Sequence, residues 1–161
     1  MIIFQGGCVV NLSLHKAAVS LLLLALALLS GCAGLGPVYH KVEVIPEEKG
    51  LVYIYRQKSF VGGGVSYDVR VGETPITTLY NGGYFPYLSD PGEVEFWART
   101  ESKSAVTLDV KAGETYFVKG TVGVGFLVGR PHLSVVDKEI GFQEIANCKL
   151  IPEKKQEAKA E

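Results

Sequence analysis

The chain has 161 residues, with 16 lysines and arginines against 17 acidic residues and a net charge of −1. That balance gives no basic field to hold a nucleic acid, and none is expected as a partner. Of three cysteines only Cys148 would remain free in a mature chain, which leaves no intrachain disulfide, and His40 and His132 do not sit at metal-ligand spacing.

In chain order, Met1 to Leu14 carries no charge and includes Cys8, and its length before His15 and Lys16 fits a translation start further downstream. Ala17 to Leu29 follows as an apolar run of 13 residues. As a helix it spans roughly 20 Å, short of the ~30 Å hydrocarbon core of a bilayer. A cationic flank, a short apolar stretch and small residues at its end describe an export signal over residues 1–31. Leu29-Ser30-Gly31-Cys32 resembles the lipobox of bacterial lipoproteins. The resemblance implies a covalent lipid on Cys32, cleavage just before it and no other cofactor. Ala33 in place of an aspartate implies the outer membrane, facing the periplasm. Residues 32–49, rich in Gly and Pro with Glu47-Glu48-Lys49, read as the lipidated cysteine and a tether.

Residues 50–150 carry β patterning. Runs of Val, Tyr, Thr and Phe at Leu51 to Arg56, Val65 to Val71, Pro75 to Tyr80 and Tyr84 to Leu88 are separated by turn residues. Asn81-Gly82-Gly83 and Asp90-Pro91-Gly92 are turn signals, and Pro86 implies an edge or a bulge. Val94, Phe96 and Ala98 alternate with Glu95, Trp97 and Arg99, and Val106, Leu108 and Val110 continue the pattern. Thr115 to Thr121 and His132 to Val136 are the last strands. Lys138 to Asn147 alone has helical spacing, through Ile140, Phe142 and Ile145. Seven or eight strands with hairpin turns predict an all-β antiparallel sandwich or small barrel with one short C-terminal helix. Residues 151–161 read as a polar tail.

The fragments Val65-Ser66-Tyr67-Asp68-Val69, Asn81-Gly82-Gly83-Tyr84-Phe85, Pro91-Gly92-Glu93, Lys111 to Gly120, Gly129-Arg130-Pro131 and Ala146-Asn147-Cys148 occur in that order. Together they resemble a domain-of-unknown-function family of short bacterial lipoproteins, and the middle resembles PEGA-like surface domains. Neither resemblance implies an activity.

Catalysis has little support in the pattern. His132 would need an unidentified serine, and Glu93 with Glu95, spaced on one strand face, reads as an ordinary solvated pair. An envelope hydrolase is thus a distant expectation. Cys148 reads as a small buried residue, the alternative being an intermolecular disulfide. Gly123 to Pro131 lacks the ending of a phosphate loop. It reads either as a strand and turn whose Phe126 and Val128 fill the core, or as an apolar loop offering Phe126 and Leu127 to an envelope protein with Arg130 at its rim. Phe60 lies in a second such loop. The alternative binding set is Tyr67, Asp68, Arg70, Asn81 and Tyr84, which suits peptidoglycan or another glycan. The sequence thus predicts a lipid-anchored, non-catalytic module that binds a protein partner.

Overall fold

The computed structural model describes residues 35–152; the signal segment, Cys32 and the residues after Pro152 lie outside the described residues. Nine strands form among the described residues: β1 (Gly50–Tyr55), β2 (Tyr67–Val71), β3 (Thr74–Leu79), β4 (Gly83–Ser89), β5 (Gly92–Arg99), β6 (Lys103–Val110), β7 (Thr115–Gly123), β8 (Arg130–Val136) and β9 (Lys149–Leu150). The one helix among the described residues, α1 (Lys138–Ile145), lies between β8 and β9. One sheet has the order β8-β7-β1-β4-β9 and the other β3-β2-β5-β6. The expected all-β sandwich is what forms, and no barrel closes.

The alternation in β5 and β6 decides which way these strands face. Phe96, Ala98, Leu108 and Val110 are buried, while Glu95, Arg99 and Asp109 are exposed. Their partners across the interior are Val52 and Ile54 of β1, Phe85 of β4, Val118 of β7 and Leu133 of β8, joined by Tyr67, Val69 and Leu79. Gly120 keeps this interface close. A Cβ there would run into Leu79 and the Tyr67 hydroxyl, which itself donates to Thr121 O at 3.1 Å.

β1 departs from the half-buried pattern, because all six of its residues are buried. Its second face, Leu51, Tyr53 and Tyr55, packs with Tyr84, Phe117, Ile145 and Cys148 in a separate apolar cluster. That cluster is roofed by α1 and by Tyr39, Val42 and Ile45. The segment expected as a tether is therefore docked from Leu35 onward. Gly36 N–H donates to Leu150 O, Leu150 N–H to Pro37 O and Tyr39 N–H to Cys148 O, and Val42 N–H donates to the Tyr53 hydroxyl. The result is three layers: the four-stranded sheet, the five-stranded sheet, and a cover of helix and irregular chain.

The sheets also differ from a wholly antiparallel expectation. β1 pairs with β7 in parallel, and β4 pairs with β9 in parallel. The long path from β1 to β7 passes through β2, β3, β5 and β6 of the opposite sheet and through β4, so no crossover helix is required. Pro86 sits opposite Tyr53 inside the strand order, yet β9 pairs only with Gly83 and Tyr84. The outer side of β4 at Pro86 is therefore unpaired, which is where a residue without a donor is tolerated. In α1, Gly141 and Ile145 are buried, while Ile140, expected on the apolar face, is about half exposed.

Candidate functional site

β1 and β7 run in parallel and deliver two loops to the same end of the sandwich. The β1–β2 loop, residues 56–66, folds back through one glycine contact and one buried cation. Gly62 adopts φ +68°, a backbone that favours glycine, and its Cα lies against Val122 of β7. Arg56 is 2% exposed, and its Nη1 and Nη2 donate to the carbonyls of Val65 at 2.6 Å and Gly62 at 2.7 Å. Asn81 is part of the same support. Its side-chain oxygen accepts from Ser59 N–H, and its amide donates to Ser59 O, both at 2.9 Å.

The β7–β8 loop, residues 124–129, converges on the same point. Gly129 lies against Val122 and Val65, so the two loops share one footing. A third loop, the β5–β6 turn, clamps this one. Thr100 Oγ1 donates to Gly129 O at 2.7 Å. The Glu101 carboxylate accepts from the amides of Phe126, Leu127 and Val128, that from Phe126 at 2.8 Å. Donation from Val128, Phe126 and Leu127, in that order of weight, holds the Glu101 carboxyl at about 2. Arg130 Nε approaches the same carboxylate at 3.7 Å.

Held this way, the loop turns its side chains outward. Phe60 and Phe126 are 102% and 90% exposed, and Leu127 is 86% exposed. Val61 and Val124 extend the same apolar surface, with Val128 about half exposed. The alternative in which Phe126 and Val128 fill the core is thus excluded by position: the core at this end is closed by Val122 and Leu133 instead. Phe60, Phe126 and Leu127 are brought to one end, with the half-exposed Arg130 side chain beside them.

The glycan set does not come together. Tyr67 is buried between the sheets and Tyr84 in the cluster under α1, so neither ring is offered to a ligand. Asn81 is occupied by Ser59. Asp68 and Arg70 lie on β2, where Asp68 accepts from Thr78 Oγ1 and Arg70 stands over the Trp97 ring at 5.5 Å. Trp97 is the aromatic of that sheet face; its Nε1 donates to Gly72 O at 2.8 Å and Lys103 lies over its ring at 5.2 Å.

Among the described residues no group of three or more His, Cys, Asp or Glu side chains is placed to hold a metal ion. Glu95 is in an ion pair with Lys103 at 2.8 Å, and His132 is exposed on β8. Cys148 is 1% exposed, which removes it from contact with another molecule, and burial pushes its thiol up to about 11. Sequence reasoning missed Glu101. The signal was available only as an acidic residue in a hairpin turn, and its partners lie 25 to 27 residues away.

A family model described as a protein of unknown function, DUF2846, matches residues 46–129, from the approach to β1 through the β7–β8 loop. No curated protein and no solved structure matches the chain.

Proposed function

We propose that this chain, which belongs to the DUF2846 family of proteins of unknown function, works as a lipid-anchored cell-envelope module that binds a protein partner without catalysis. The anchor is the lipid on Cys32, by the resemblance of Leu29-Ser30-Gly31-Cys32 to a lipobox, and the resemblance extends to the outer membrane as its location. The binding surface is the loop end of the sandwich. One observation carries it: Phe60, Val61, Val124, Phe126 and Leu127 are exposed on loops that meet at Val122, and Glu101 spends its carboxylate on fixing the tip. A fixed apolar tip with a polar rim loses little conformational freedom when a partner covers it, which favours association.

The test is photo-crosslinking in the living envelope from a reactive residue at position 126, with Cys32 intact. A discrete protein-sized adduct that disappears when Leu127 is replaced by Ser supports the reading. A folded, membrane-bound protein that gives no protein adduct overturns it.

A further inference from the structure

Beside the apolar tip, and sharing Val61 and Val122 with it, the start of the β1–β2 loop and the end of β7 enclose a cleft of about 250 Å³. Arg56, Lys58 and Lys119 line it, with Ser59 and Thr121, and no carboxylate is among its lining residues. Lys119 is paired, since its Nζ meets Glu144 Oε1 at 2.7 Å. Burial works to raise the Glu144 carboxyl, but the bonds from Lys119 and the Tyr55 hydroxyl outweigh it and hold the group ionised. One carboxylate therefore stands against three cations. Arg56 is the unusual member: a guanidinium 2% exposed whose two hydrogen bonds go to carbonyls, with no carboxylate partner among the described residues. A buried charge is costly unless an opposite charge or a dense set of hydrogen bonds offsets it. Lys58 is exposed and makes no ion pair among the described residues. The depression over Trp97 is a contrast, because there Arg99 and Lys103 are matched by Glu73 and Glu95.

We propose that this cleft is a binding site for a phosphate monoester, taken up between Arg56, Lys58 and Lys119. Two unbalanced positive charges suit a group that carries about −1.5 to −2 near neutral pH. Guanidinium and ammonium donors with nearby hydroxyls supply the charge-assisted hydrogen bonds that such a group accepts. The phosphate comes either free, on a small soluble molecule, or on a lipid headgroup at the membrane surface. The cleft shares Val61 and Val122 with the apolar tip, but phosphate uptake is read through Lys58 and partner capture through Leu127, so failure of one reading is distinguishable from failure of the other.

The experiment uses the full lipidated protein in neutral detergent. Its melting temperature is followed against inorganic phosphate, with chloride at matched ionic strength and succinate as controls. A saturable rise with phosphate, absent with chloride and weaker with succinate, is expected. Lys58→Met, at an exposed position that leaves the fold intact, weakens phosphate binding about tenfold, and Thr121→Val weakens it less. Flotation with vesicles containing phosphatidic acid, using a Cys32→Ala chain that lacks residues 1–31 so that neither signal nor lipid remains, identifies the source. Lys58-dependent flotation without a response to free phosphate assigns the site to a headgroup, and the reverse assigns it to a soluble ligand. A response to phosphate no greater than to chloride together with no Lys58-dependent flotation overturns the proposal. So does binding that Lys58→Met leaves unchanged, or succinate binding as tight as phosphate.

Discussion

Glu101 decides the shape of the tip, and its ionisation gives that role a pH signature. Three amides donate to one carboxylate, which lowers the folded-state value to about 2 from an ordinary 4.5. A depressed carboxyl stabilises the folded loop above the unfolded value and loses that contribution as pH falls through the folded one. The tip should therefore be fully held above pH 4.5 and released progressively down to about pH 2. In an NMR titration the amides of Phe126, Leu127 and Val128 should move together with an apparent pKa near 2, and Glu101→Gln should abolish the shared transition. Titration of all three amides near 4.5 would show that they do not share this carboxylate. The aromatic residues at the two ends of the exposure scale make the complementary pair. Phe126→Ser removes a ring that touches little and should change stability by no more than about 0.5 kcal/mol. Phe117 is 1% exposed, stacks on Tyr53 at 5.4 Å and meets Phe142 edge-on at 4.8 Å. Phe117→Ala leaves a cavity between the sheet and α1 and should cost about 3–5 kcal/mol in urea unfolding.

At the scale of elements, what can be read from the chain depends on whether one physical rule acts alone. β5 and β6 are legible because one face meets the core and the other meets water, so alternation records the answer directly. β1 looks like a half-buried strand from Val52 and Ile54, but its tyrosines face a second apolar layer that no local pattern announces. The cover itself is illegible for the same reason. Tyr39, Val42 and Ile45 lie in a segment that forms neither strand nor helix, and their burial depends on a sheet face formed far along the chain. β9 has two residues and leaves no periodicity at all. The apolar tip was legible as composition, while its exposure was not, because only Glu101 and Thr100 on another hairpin determine which way it turns. Helix α1 tests how far local propensity matters against packing. Gly141→Ala gains about 1 kcal/mol of helix propensity. The added Cβ, however, would fall within the Phe117 ring, so the helix must shift off the sheet. Overpacking of this kind costs about 1–3 kcal/mol, and the net effect in urea unfolding should be destabilising. An increase in stability would mean that α1 is not seated on Phe117.

For the whole molecule, docking of the chain from Leu35 onward sets how closely the body can be held. Leu35 packs against the inter-sheet core and Gly36 is already hydrogen-bonded to Leu150. Only Ala33 and Gly34 separate Leu35 from Cys32. Three residue steps extend to at most roughly 11 Å. A lipid on Cys32, as proposed, would therefore keep the sandwich at the bilayer surface instead of at the end of a long leash. Each buried methylene contributes ~0.8 kcal/mol and a single chain binds only marginally, so the expected two or three acyl chains would dominate membrane retention. Among the described residues no helix is long and apolar enough to cross a membrane. Stability of the body has a different source, since the described core and its cover begin at Leu35. The two properties should separate in one variant. A Cys32→Ala chain trimmed before residue 32 should move from the membrane fraction to the soluble fraction of lysed cells, while its melting temperature matches that of the detergent-extracted parent. Retention in carbonate-washed membranes of a variant that is still trimmed before residue 32 would rule out the lipid as the anchor. Release accompanied by a large loss of melting temperature would mean that the body's stability depends on the membrane it sits against.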